Sequence, residues 1–71
     1  MTIKQAAALI EQTKQDARNK FPANDTGSYY DRKHYLSQVL RQLLQDVGDS
    51  LPYQTRHYVQ SQLEVAQHTG D

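Results

Sequence analysis

Large apolar side chains recur at helical spacing in only one stretch of this chain, residues 29–47, where Tyr29, Leu36, Val39, Leu40, Leu43, Leu44 and Val47 follow a Ser28 start signal. Stepping about 100° per residue, these seven fall within an arc of under about 150° on a helix surface. The other segments are mostly polar, so this helix has to organise whatever core the chain can form. Leu, Ile, Val and Phe number fourteen of 71 residues, about a fifth, which borders on the composition of disordered chains. Disorder of that kind goes with high net charge, and here eight basic residues cancel eight acidic ones. The expectation is one marginally sized folded domain over residues 1–71, with no global field to draw in nucleic acid or an anionic membrane.

Cysteine is absent, which excludes disulfides and thiolate chemistry. The apolar run at residues 6–10 is too short for a signal-peptide core or a membrane span. A cytoplasmic, complete small protein is the expectation. The ten glutamines are scattered rather than clustered, as on solvated helix faces.

Around the main stripe the pattern predicts two weaker helices. Thr2 and Gln5 fit a capping box, and Ile3, Ala6, Ala7, Ile10, Ala17 and Phe21 share a thin face interrupted by Thr13 and Lys14. Pro22 ends this helix near Phe21. Residues 22–28 read as a loop, after which Ser28 and Asp31 signal the second N-terminus. Gly48 suits a left-handed C-cap. Asp49 or Ser50 then caps a third helix with Pro52 in its first turn and a face of Thr55, Val59, Leu63 and Ala66, with Tyr58 and Val65 on the margins. The fold expectation is all-α: an antiparallel helical hairpin plus a shorter third helix, with helices at about 2–21, 28–48 and 51–67 and a flexible tail at 68–71.

No residue constellation names a reaction. His34, His57 and His68 lack metal-like spacing, and Glu64 with His68 reads as a surface pair. Asp25 with Asp31, and Asp46 with Asp49, sit where turns and caps want carboxylates. A body this small is not expected to enclose a pocket of a few hundred cubic ångström. We therefore expect no enzyme, no cofactor and no metal.

The densest chemistry lies at residues 29–35. Tyr29 shares the stripe with Leu36, whereas Tyr30 and Tyr35 point away from it and suit contacts, as does Tyr58. Arg18, Lys20, Arg32 and Lys33 flank the first loop and would form a small basic patch once the hairpin closes. Because the second helix carries more apolar surface than its neighbours can cover, part of it should remain for a partner. The functional expectation is a protein-interaction module of co-chaperone, immunity or inhibitor, anti-defence or adaptor type. It would dock another protein or a second copy of itself through Tyr30, Arg32, Lys33, Tyr35, Leu40, Leu44 and Tyr58. The alternative is a small DNA-binding regulator that uses the third helix (Gln54, Arg56, Gln60, Gln62) with the loop cations. Zero net charge and a single Arg on that helix weigh against it.

Overall fold

The computed structural model describes residues 1–67, which form three helices joined by two short connections. Helix α1 spans Ile3–Lys20, α2 spans Thr26–Val47, and α3 spans Tyr53–Gln67; a single 3-10 turn, Gly48–Ser50, links the last two. The architecture is the all-α hairpin with a shorter third helix that the periodicity predicts. Helix α2 is its spine, packing extensively on both α1 and α3, which touch each other less.

Local chemistry sets each boundary. At the start of α1 the Thr2 hydroxyl accepts from the Gln5 N–H at 3.2 Å, and Gln5 Oε1 accepts from the Thr2 N–H at 2.8 Å. Two otherwise orphaned donors are thereby satisfied reciprocally. The helix ends as Pro22 requires: Phe21 leaves helical geometry at φ −130°, ψ 71° while its N–H still donates to the Ala17 carbonyl.

Three expected termini are corrected. Helix α2 begins two residues before Ser28, because Asp25 is the N-cap and its carboxylate accepts the Ser28 N–H at 2.7 Å. Ser28 is the donor of that bond, so the first of two cap-type residues takes the role. Gly48 is not left-handed: at φ −55°, ψ −41° it continues right-handed into the 3-10 turn, and Val47 at φ −134°, ψ 7° takes the break instead. Neither Asp49 nor Ser50 caps α3. Both belong to the 3-10 turn, and the Pro52 carbonyl accepts the Arg56 N–H at 2.9 Å ahead of Tyr53. The expected tail at 68–71 lies outside the described residues.

The core is built from one large side chain per helix. Ile10, Leu40 and Val59 are the largest fully buried residues, joined by Leu36 and by Ala6 and Ala66, with Leu43, Leu44, Tyr58 and Leu63 packed half-buried against them. Small polar residues complete it. Thr13, which the sequence reading treats as a gap in the α1 stripe, is buried, with its hydroxyl donating to the Leu9 carbonyl at 2.8 Å. Ser37 is buried in the same manner, bonded to the His34 carbonyl at 2.9 Å. A small side chain whose hydroxyl is satisfied within its own helix lets a second backbone come close at no polar cost.

This packing corrects the docking role expected for Leu40. Its side chain is 0% exposed in the chain's own core, so no partner reaches it in this fold. The stripe is most exposed at its ends: Tyr29 is 41% and Val47 37% exposed, while Leu36 and Leu40 are buried and Val39, Leu43 and Leu44 half-buried.

Two substitutions separate these packing roles. Leu40→Ala removes a fully buried side chain and should cost about 2–5 kcal/mol in urea unfolding followed by circular dichroism. Gly48→Ala should stabilise by about 0.4–1 kcal/mol, because the helical backbone accepts Ala and restricts the unfolded chain. The added Cβ would meet Leu44 Cβ and Cδ2 at an ordinary 3.8 Å.

Candidate functional site

The uncovered N-terminal end of α2 and the last turns of α1 enclose an open-sided cleft of about 620 Å³ beside the first loop. On α2, Tyr29, Arg32, Lys33 and Leu36 line it, because their spacing places all four within about 100° of arc. On α1, Lys14 and Arg18 are four residues apart and flank the buried Ala17; Pro22 and Asn24 close the loop side. It is an open groove and not the enclosed pocket that a body of this size is expected to lack. A cleft between two helix ends and a loop needs no enclosing shell.

Its charge is one-sided. Lys14, Arg18, Arg32 and Lys33 line the cleft, and among the described residues no carboxylate does. Three of these are members of the expected basic patch. The fourth expected member, Lys20, instead sits 5.6 Å over the Tyr35 ring and lies outside the lining. Lys14 is the residue the sequence reading missed, and the signal available was its i,i+4 relation to Arg18. Its ion pair with Glu11 at 3.5 Å is solvent-exposed and weak.

Arg32 has a second role. Its Nη1 donates to the Phe21 carbonyl at 2.6 Å and to the Ala23 carbonyl at 2.9 Å, so the guanidinium ties the loop down onto α2. These carbonyls follow the end of α1 and have no helical partner, which is why a charged donor there holds the turn. Asp25 sits on the other side of the loop. The Ser28 N–H, then the Ser28 hydroxyl, hold its carboxyl below the ordinary value of 3.8, with the Arg32 charge a smaller contribution in the same direction.

Aromatic rings order the rim. Lys33 Nζ lies 5.8 Å over the Tyr29 ring, and Tyr30 meets Tyr29 edge-on at 5.6 Å. Tyr29, the stripe residue, is thus a wall of the cleft rather than core. Tyr30 is exposed as expected, Tyr35 is half-buried under Lys20, and Tyr58 and Leu44 are half-buried against the core. The seven expected contact residues therefore do not form one surface: Arg32 and Lys33 line the cleft, Tyr30 stands against Tyr29 beside it, Tyr35 lies under Lys20, and Leu40, Leu44 and Tyr58 belong to or border the core.

The titratable groups weighed for catalysis have other partners. His34 Nε2 lies 3.0 Å from the Gln38 amide nitrogen, and His57 stacks on Tyr53 at 6.1 Å. Asp46 accepts from Gln42 at 2.9 Å, and Asp49 faces Arg56 at 3.9 Å. His68, and with it the Glu64–His68 pairing, lies outside the described residues. Among the described residues no three His, Cys, Asp or Glu side chains come together in a metal-holding group. Among them, too, no helix is long and apolar enough to cross a membrane.

Two measurements test the loop. Arg32→Gln should raise amide hydrogen exchange across residues 23–28 and cost about 1–3 kcal/mol, because two carbonyls lose a charged donor. For Asp25 the folded carboxyl titrates below the unfolded one, so its contribution is complete above pH 3.8 and is lost as pH falls through the depressed value. The melting-temperature gap between the natural chain and Asp25→Ala should therefore narrow below that pH. In comparison with known proteins, the chain matches no family model, no curated protein and no solved structure.

Proposed function

We propose that this chain is a non-enzymatic protein-interaction module of the adaptor, co-chaperone or inhibitor kind, which docks its partner at the cleft beside the first loop. The observation that supports this reading is the gathering of four cations around an open cleft that no carboxylate lines among the described residues, with Tyr29 in its wall and Tyr30 edge-on to that ring. With Leu36 and Leu40 buried, the middle of the apolar stripe no longer offers the docking face; its exposed end at Tyr29 does. Tyr29, Arg18 and Arg32 there provide large contact area with polar tips, the residue types that anchor protein interfaces. On this reading the partner is another protein met in the cytoplasm.

The DNA-binding alternative asks α3 and the loop cations to meet one duplex. Arg56, the single Lys or Arg of α3, faces Asp49 just past the C-terminal end of α2, while the basic cleft lies at the N-terminal end. A helix of 22 residues sets those ends about 33 Å apart. The two basic features thus lie toward opposite ends of α2.

A photo-crosslinking amino acid at position 30, introduced in the cells the chain comes from, should yield a discrete covalent protein adduct. The same group at exposed Gln45, opposite the stripe, should not. No adduct at position 30, or equal adducts at both, would sink the reading. Salt-dependent retardation of duplex DNA at low ionic strength would favour the alternative, and an adduct of twice the chain's own mass would identify a second copy as the occupant.

A further inference from the structure

We infer that the cleft takes a short acidic segment of a partner protein, in which carboxylates flank a large apolar side chain; this rests on the protein-docking reading above. Charge distribution selects the ligand class. Half of the chain's eight Lys and Arg line the cleft, leaving four against seven Asp and Glu among the other described residues. A long polyanion such as a nucleic acid would leave the cleft and run over an acidic remainder. A short acidic segment meets only the cations.

The walls add a second requirement. Beside the cations stand Tyr29, Leu36, Ala17 and Pro22, so an ion consisting of charge alone leaves apolar wall uncovered. An aromatic or aliphatic side chain between two carboxylates covers it and gains by burial. The volume, about 620 Å³, lies within the range of ligand-binding clefts and suits a few residues rather than a folded face.

The cations are also partly held in place. Arg32 is pinned through Nη1 by two loop carbonyls, which leaves its other three N–H donors for a carboxylate in a fixed geometry. Lys33 is steadied over the Tyr29 ring. Groups already ordered lose less freedom when a ligand arrives.

The test is a nuclear magnetic resonance titration of the isotope-labelled chain with the acetylated hexapeptide EFEDLE, its amide counterpart QFQNLQ, inorganic phosphate and a ten-nucleotide oligothymidine. EFEDLE should shift the amides of Lys14, Arg18, Tyr29 and Lys33, and should weaken by roughly tenfold between low and 0.3 M salt as exposed charges are screened. It should bind at least fivefold more weakly to Arg18→Glu/Lys33→Glu, whose helicity by circular dichroism should be unchanged. Equal binding of QFQNLQ, equal binding of phosphate, or binding of the oligonucleotide in place of the peptide overturns the inference, as does a double variant that keeps full affinity. Failure of EFEDLE with the position-30 crosslink intact overturns the acidic-segment inference alone; failure of both also overturns the docking reading beneath it.

Discussion

Everything in this fold depends on the core cluster that holds Ile10, Leu40 and Val59, one side chain from each helix and each withdrawn from water. Burial of such a side chain stabilises by about 1.5–3 kcal/mol, so three of them are a narrow foundation for a chain of this length. They work because the positions around them are small. Ala6, Thr13, Ala17, Ser37, Thr55 and Ala66 are all buried and let the helices approach closely enough for the three large residues to meet. None of these small residues leaves a polar atom stranded: among the described residues every buried side-chain nitrogen and oxygen has a hydrogen-bond partner. With so thin a core, end effects such as the Thr2–Gln5 capping box and the Asp25 cap, each modest alone, take a larger share of the balance than they would in a bigger domain.

The same geometry explains where the site is. Helix α2 has 22 residues against 18 and 15 in its neighbours, so its apolar stripe outruns them. The overhang leaves Val47 exposed at one end and Tyr29 at the other. At the Val47 end a 3-10 turn closes the chain back tightly. At the Tyr29 end the first connection has the same five residues but no 3-10 turn, and with Pro22 stopping α1 the cleft lies open beside it. The site is thus a by-product of unequal helix lengths and of a proline, decorated by cations that four-residue spacing aligns.

Much of this was legible in the sequence. The stripe of seven apolar residues gave α2, Thr2 with Gln5 marked the start of α1, and Pro22 marked its end, because each signal is local and rests on backbone hydrogen bonding alone. What was illegible depended on more than one helix. Leu40 and Leu44 share the stripe, and only the placement of Ile10 and Val59 decides that the first is sealed and the second half-covered. Thr13 and Ser37 look like breaks in amphipathic faces until a neighbouring backbone makes their small size the point. Asp25 and Ser28 are both good caps, and composition does not rank them. The basic patch was foreseen as a property of the loop, but Lys14 joins it and Lys20 leaves it through side-chain directions that require both helices in place.

The double engagement of Arg32 couples two properties that chains of this kind usually tune separately. Its guanidinium bridges carbonyls nine and eleven residues back along the chain, so it acts as a tether across the turn while also supplying a quarter of the cleft's positive charge. Lengthening the loop would move Phe21 and Ala23 out of reach of Nη1 and reorient the cation that lines the site. Removing the cation would free the turn. Connection length and surface charge are in this way mechanically linked, and sequence drift at the loop is constrained by a side chain in the second turn of the following helix.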